Sequence, residues 1–250
     1  MALFWSVGVV APLFALSTIF FGILSLIATL FDSTGDTGIV IGRYWSRSLL
    51  FLAGTRVKVE GLEKIDPKSH YVFVSNHLSY MDTPVVLSRI PQQFRFWAKK
   101  ELFSIPFMGT HLKQAGHVAV PLDDPRAALK IMTKTAELMQ RRNISVLVFP
   151  EGGRSEDGIL QPFKDGAAYM AIKAGVPVFP LTLIGTREVL PMHGKIFTPG
   201  PVTLRVGDPI PTEGLTLKDR GTVTQQARDQ IVRMLEGKSA TEVPSSTRAS

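Results

Sequence analysis

The chain opens on a run with almost no polar relief. Phe, Leu, Ile, Val and Ala dominate from Phe4 to Phe31, and residues 1–31 carry no charged side chain. About 20 such residues cross a bilayer. The pattern therefore predicts a membrane helix, with length to spare for tilt or for a kink at Pro12. A core helix of this length would show a polar face. A cleaved signal peptide would begin with basic residues, but the first Lys or Arg is Arg43. Residues 1–34 read as a membrane anchor. Residues 35–55 mix apolar and aromatic positions with Arg43 and Arg47, four apart on one helical face. That predicts an amphipathic helix at the membrane interface. An ordinary helix packed on the next domain has the same pattern.

From residue 56 to 237 the period alternates. Strand-like runs occur at Val57–Glu60, Tyr71–Ser75, Phe94–Ala98, His117–Val120, Val146–Pro150, Val178–Leu183 and Val202–Val206. Helical periods lie between several of them. The clearest is Pro125–Arg142, where Leu129, Met132, Ala136 and Met139 recur at helical spacing, Asp124 can cap and Pro125 suits the first turn. A last helix is predicted over Gln225–Glu236, stopped by Gly237. Alternation of this kind predicts a single α/β domain with a mixed, mainly parallel sheet flanked by helices. Residues 238–250 are small and polar and read as a disordered tail.

Charge refines this. Lys and Arg outnumber Asp and Glu by 28 to 21, giving +7. That favours anionic partners, a lipid surface or a phosphorylated substrate. No basic run interleaved with aromatics is present, so nucleic acid is not expected as a partner. Cysteine is absent, which removes disulfides, thiolate metal sites and a cysteine nucleophile. Arg43, Arg47, Arg56, Lys58, Lys64 and Lys68 follow the apolar segment and nothing basic precedes it. The positive-inside rule then places the domain on the cytoplasmic side of the cell (inner) membrane.

Two segments carry candidate chemistry. In Asn76-His77-Leu78-Ser79-Tyr80-Met81-Asp82, His77 follows a buried strand, at the sheet edge where sites form in α/β folds. Five residues along one helix rotate by about 500°, leaving the two side chains about 140° apart. The pair therefore meets only if His77 sits in a turn and Asp82 opens a helix. There the carboxylate can hold one imidazole nitrogen and leave the other as a base. Taken alone, this spacing is frequent by chance and favours a turn histidine with no role and an aspartate that caps a helix. No second histidine stands at ligand spacing, so no metal is expected. In Phe149-Pro150-Glu151-Gly152-Gly153-Arg154-Ser155, the glycines allow a tight turn close to a ligand. Arg154 offers a fork for phosphate, Ser155 a further hydrogen bond, and Glu151 either a contact to a substrate hydroxyl or a lock on Arg154. A plain turn with a surface ion pair fits the same letters. Lys99 and Lys100, after a strand, can meet an anionic substrate or simply be solvated.

With both segments in this order the chain resembles the glycerolipid acyltransferases, most closely the 1-acylglycerol-3-phosphate acyltransferase family. Asn76–Asp82 stands for its N-H-x-S-x-x-D block, Phe149–Ser155 for F-P-E-G-x-R-S, and Val176-Pro177-Val178-Phe179-Pro180 for a later apolar-proline block. Gly153 replaces the usual threonine. The middle block, Gly116–Leu122, lacks the family's arginine, and Arg126, four residues on, is the nearest candidate. The resemblance implies an acyltransferase domain over 56–237. It implies transfer of a fatty acyl group from acyl-carrier protein or acyl-CoA to lysophosphatidate, with no cofactor. His77 is implied as base and Asp82 as its orienter. Asn76, Glu151, Gly152, Gly153, Arg154, Ser155, Lys99 and Arg126 are implied as substrate-binding. It leaves open glycerol 3-phosphate or another lysolipid, such as a lyso-ornithine lipid, as acceptor. More distantly, a membrane-anchored hydrolase or a silent membrane-binding protein would fit.

Overall fold

A computed structural model describes residues 2–32, 34–105, 108–121 and 123–237. The tail expected at 238–250 lies outside the described residues. Seven strands form one sheet: β1 (Arg56–Glu60), β2 (Val72–Ser75), β3 (Phe94–Lys99), β4 (Val118–Val120), β5 (Ser145–Val148), β6 (Val178–Ile184) and β7 (Pro201–Val206). Their order is β1-β7-β6-β2-β5-β3-β4. The five strands from β6 to β4 are parallel, β7 is antiparallel to β6, and β1 runs parallel to β7. The sheet is thus mixed and mainly parallel, as the alternating pattern predicts.

Helices cover both faces. They are α1 (Ala2–Ala28), α2 (Asp36–Leu52), α3 (Asp82–Arg89), α4 (Met108–Gln114), α5 (Pro125–Arg142), α6 (Gly166–Ala174) and α7 (Arg220–Leu235). On one face Phe73, Leu147, Phe179 and Leu181 pack against Ile39 and Leu50 of α2 and Val85 and Val86 of α3. On the other, Val72, Val74, Val146 and Val178 pack against Ala136 and Met139 of α5, Ala168 and Met170 of α6, and Ala227 and Ile231 of α7. Alternate residues of β2 serve alternate cores, the period of two expected of a strand buried on both sides.

α5 has the bounds its sequence predicts. The Asp124 carboxylate accepts from the Arg126 and Ala127 amides, and Asn143 closes the helix at φ 49. α7 starts five residues before the expected Gln225. Thr216 and Asp219 form a reciprocal capping box ahead of it, which lets the helix begin before Gly221.

α1 is long and apolar enough to cross a membrane, yet it lies along the domain. Ser6 Oγ accepts from the Phe197 amide at 3.0 Å, and Ser25 Oγ meets His111 Nδ1 of α4 at 2.8 Å. Nineteen residues of helix separate these serines by about 28 Å, so both ends are held. Ser17 Oγ bonds Ser48 Oγ, and Trp45 Nε1 donates to Thr18, tying α1 to α2 between those ends. The opposite face of α1, including Leu16, Phe20, Ile23, Leu24 and Ile27, is exposed. Ser6–Val10 is a π-turn. It falls where Pro12 cannot donate to Gly8, so the hydrogen-bond ladder resets there rather than at a sharp kink.

α2 is amphipathic and packs on the domain. It buries Ile39, Ile41, Leu49 and Leu50 and exposes Val40, Tyr44 and Phe51. Arg43 is corrected from an interfacial residue. It donates to the carbonyls of Pro91 at 2.7 Å and Gln92 at 2.5 Å, bracing the end of α3. A Cβ on Gly42 would sit 3.1 Å from the Leu87 side chain of α3, so a larger residue there requires Leu87 to give by a few tenths of an ångström.

Candidate active site

The parallel strands β2 and β5 end side by side, and both chemistry-bearing segments leave from those ends. β2 stops at Ser75, and the chain turns through His77 into α3, which Asp82 opens. This is the turn-then-helix arrangement that the spacing requires. His77 Nδ1 lies 2.7 Å from Asp82 Oδ2. The same oxygen accepts from the Leu78 amide at 2.6 Å and the Ser79 amide at 2.8 Å. Asp82 is 0% exposed, and its other oxygen makes no hydrogen bond among the described residues. The ring of His77 stacks on Phe149, with centroids 3.8 Å apart and planes 10° from parallel.

These contacts fix the tautomer. Two backbone donors already point at Asp82 Oδ2, so this oxygen is an acceptor and takes the proton-bearing Nδ1 as its third donor. Nε2 keeps its lone pair. Burial pushes the His77 pKa below its ordinary 6.5; Asp82 opposes this, while Arg154 and Lys99 add to the depression. The pair is therefore a hydrogen-bonded dyad with neutral imidazole at pH 7, not a ground-state ion pair.

The second segment grips the histidine's backbone from both sides. Glu151 Oε1 accepts from the His77 amide at 2.7 Å, and the Ser155 amide donates to the His77 carbonyl at 2.9 Å. Glu151 Oε2 accepts from the Gln161 amide at 2.8 Å. Burial raises the Glu151 pKa, and its two backbone donors counter the shift. Glu151 does not lock Arg154, as one reading of the sequence had it: its two oxygens hold the His77 turn and the Gln161 amide. Ser155 is corrected likewise. It is 2% exposed, and its Oγ bonds Asp157 at 2.7 Å and accepts from the Gly158 amide at 3.0 Å. This is a turn closure that the Ser-Glu-Asp-Gly string itself announces.

Arg154 reaches the dyad's surroundings. Its Nε donates to the Ser79 carbonyl at 3.1 Å, and its guanidinium lies 4.5 Å from the centre of the Tyr80 ring. The two terminal nitrogens make no hydrogen bond among the described residues, leaving a forked donor free beside His77. Burial lowers the Arg154 pKa from its ordinary value. Gly152 holds φ +80, and a Cβ there would lie 2.9 Å from Lys164 Nζ. Gly153 faces open space, so a Cβ at this position, as in the threonine usual in the resembling family, meets nothing within 4 Å. Lys99 ends β3 exposed, close enough to depress the His77 pKa.

Two further expectations are corrected. Asn76 does not face a ligand. It is 0% exposed; its Nδ2 donates to the Leu183 carbonyl at 2.9 Å, and its Oδ1 accepts from the Leu183 amide at 2.8 Å. It ties the end of β2 to β6. Asn76→Ala is expected to cost about 2–4 kcal/mol of stability by leaving both Leu183 groups buried and unpaired, with little change in KM for either substrate. Denaturant melts beside kinetics on folded protein check this; a large KM change at full stability would return Asn76 to substrate binding. Arg126 is exposed on α5, and among the described residues its side chain makes no hydrogen bond or ion pair with the dyad segments.

Phe149, Ser79 and Tyr80 are site residues that sequence reasoning did not single out. Ser79 is buried, donates to the Leu190 carbonyl at 2.6 Å and accepts from the Met81 amide. Ser79 also bridges Pro191, which lines a surface groove of about 580 Å³ with Arg187, Lys195, Ile196 and Thr198. The groove borders Phe197, which packs on Phe14 of α1 at 4.7 Å. Among the described residues no group of three or more His, Asp or Glu side chains could hold a metal ion.

Comparison with known proteins bears on this geometry. A family model described as Acyltransferase matches residues 56–184, which contain both segments. 1-acyl-sn-glycerol-3-phosphate acyltransferase alpha of Homo sapiens is 32% identical over 182 residues, 73% of this chain and 64% of the relative. The chloroplastic 1-acyl-sn-glycerol-3-phosphate acyltransferase BAT2 of Brassica napus is 37% identical over 173 residues, 68% of this chain and 49% of the relative. The chain thus spans from about half to just under two thirds of the length of these curated relatives. The crystal structure of the 1-acyl-sn-glycerophosphate (LPA) acyltransferase PlsC from Thermotoga maritima superposes with a TM-score of 0.76 at 26% identity, covering 92% of this chain and 95% of that one.

Proposed function

The chain belongs to the acyltransferase family, and from that membership we propose that it moves a fatty acyl group from a thioester donor to the free 2-hydroxyl of lysophosphatidate, giving phosphatidate. The single observation that carries this is the oriented dyad, with His77 Nδ1 held by Asp82 and Nε2 left as base beside the unpaired fork of Arg154.

The acceptor hydroxyl attacks the thioester carbonyl carbon and gives its proton to His77 Nε2. The imidazolium that forms is stabilised by Asp82. As the tetrahedral intermediate collapses the carbon–sulfur bond breaks, and the departing thiolate takes the proton back from Nε2. Attack is direct. Cysteine is absent, and Ser79 and Ser155 are both committed to backbone or turn hydrogen bonds, so neither serves as an acyl-carrying nucleophile. Arg154 holds the acceptor's phosphate through its two terminal nitrogens and so converts binding into proximity. Lys99, at the neighbouring strand end, adds positive charge. The cycle uses the donor and acceptor alone.

The exposed apolar face of α1 and the outer stripe of α2 enter the lipid, and the groove beside Phe197 admits the acceptor from that side. With α1 held along the domain at both ends, the protein sits on a single membrane face. The distribution of Lys and Arg after α1 favours the cytoplasmic face of the inner membrane.

Arg154→Ala tests the phosphate assignment. Losing a charge-assisted pair of hydrogen bonds costs about 1.5 kcal/mol or more, so the acceptor KM is expected to rise roughly tenfold or more, with a smaller change in kcat. A panel of lysophosphatidate, glycerol 3-phosphate and a lysolipid without a terminal phosphate reads the acceptor directly. Preference for lysophosphatidate that vanishes in Arg154→Ala supports the reading. A kcat loss with unchanged KM would move Arg154 to the reacting centre, and preference for another acceptor would replace lysophosphatidate.

A further inference from the structure

We infer that the outward face of α5 is the docking surface for an acidic acyl-carrier protein that delivers the thioester. This rests on the thioester-transfer reading above and adds to it the partner and the place where it binds.

Arg126, Lys130 and Lys134 stand four residues apart along α5, and all three are exposed. They form a row about 12 Å long. None of them enters an ion pair among the described residues. Leu129, 48% exposed, lies beside the row and offers an apolar contact. Three like charges at successive i, i+4 positions weaken a helix. Arg126 in the first turn also opposes the helix dipole, which Asp124 at the N-cap offsets only in part. Helix stability alone does not favour this row, whereas an acidic partner would reward it.

The position is as telling as the charge. α5 begins just past the carboxyl end of β4, whose Val120 pairs with Lys99 of β3. The row therefore starts at the sheet edge that carries His77, with Lys99 and Lys100 between, and descends the flank. α5 covers the sheet face opposite the one covered by α2, on which α1 packs. The bilayer that receives α1 is thus on the other side of the domain. This is a convex helical surface facing water, suited to a folded acidic protein rather than a lipid headgroup. Acids nearby are few. Asp124 is engaged in capping the helix, and Asp123 and Glu137 bound the row at its two ends. Charge complementarity of this kind acts mainly on encounter, so it appears in KM and in salt dependence.

The test compares fatty acyl-carrier protein with the matching acyl-CoA, using the full chain in detergent–lipid micelles. In K130E/K134E the KM for acyl-carrier protein is expected to rise about tenfold or more, while kcat and the KM for acyl-CoA stay within about twofold. The unchanged acyl-CoA reaction also shows that the variant is folded. Raising salt should weaken the wild type toward the variant with carrier protein only, and Glu137→Lys should shift the carrier-protein KM downward. Equal loss with both donors, no change with either, or a wild type that uses acyl-CoA alone would each overturn the docking surface. Equal loss with both donors accompanied by weaker binding to anionic vesicles would assign the row to the membrane instead. A wild type inactive with both donors would remove the transfer reading itself, and the docking surface with it.

Discussion

His77→Ala is expected to lower kcat by about 10²–10⁴-fold, the usual worth of a positioned general base, with little change in either KM. In the proposed reaction the ring meets the acceptor hydroxyl through Nε2 alone, and the phosphate is held elsewhere, by Arg154. The wild-type pH profile should carry the same signature. Burial depresses the His77 pKa, so the fraction of neutral base stays high below pH 6.5 and the acid limb of kcat/KM falls under that value. An acid limb above 6.5 would mean that the Asp82 charge outweighs burial. Stability has its own acid dependence. His117 is buried with its pKa pushed down to about 3; its Nδ1 accepts from the Phe96 amide at 3.0 Å. A group with a depressed folded pKa binds fewer protons in the native state than in the unfolded chain. Its stabilising contribution is present above the unfolded pKa and is lost as pH falls from about 6.5 toward 3. Activity and melting should therefore be followed together across that window.

Asp82→Asn is expected to cost about 1.5–3 kcal/mol of transition-state stabilisation, roughly 10–150-fold in kcat. The size follows from the donors around Oδ2. The amides of Leu78 and Ser79 and the Nδ1–H of His77 all point at one oxygen. The asparagine will place its carbonyl there and its NH₂ at the other position, so the histidine keeps its tautomer and loses only the negative charge that steadies the imidazolium. A loss near 10⁴, as when a histidine is held in the wrong tautomer, would show that the amide flips and donates to Nδ1. Because Asp82 also holds the His77 pKa up, the acid limb in Asp82→Asn should move lower still. Asp82→Ala is a different experiment. It leaves two turn amides without their acceptor and is expected to destabilise the fold by about 2–5 kcal/mol.

The sequence exposes this architecture where the physics is local. The core strands β2 and β5 are uninterrupted apolar runs. α5 announces its ends through Asp124, Pro125 and Asn143. Helical geometry shows that His77 can meet Asp82 only from a turn ahead of the helix that Asp82 opens, and the fold brings the two together in that way. What escapes is what depends on distant partners. Asn76 and Glu151 look like ligand-binding polar groups, because nothing near them in sequence shows that Leu183, and the backbones of His77 and Gln161, claim their hydrogen bonds. Phe149 looks like one more strand residue, although it forms the floor under the imidazole. α1 shows its apolar length in the sequence, but not the partners of its serines: Phe197 for Ser6, Ser48 of α2 for Ser17 and His111 of α4 for Ser25. The start of α7 was hidden by Gly221, and Ser155 alone had a local signal, the turn string Ser-Glu-Asp-Gly, that the phosphate reading overrode.

The most direct measurement follows labelled acyl groups from a thioester into lipid in one turnover, with lysophosphatidate present, for the wild type and for His77→Ala. Label passing straight into phosphatidate without a protein-bound acyl species, and slowed at least a hundredfold in the variant, is the result expected of direct attack through a His77 base. Label released as free fatty acid, trapped on the protein, or transferred at an undiminished rate by His77→Ala would contradict it.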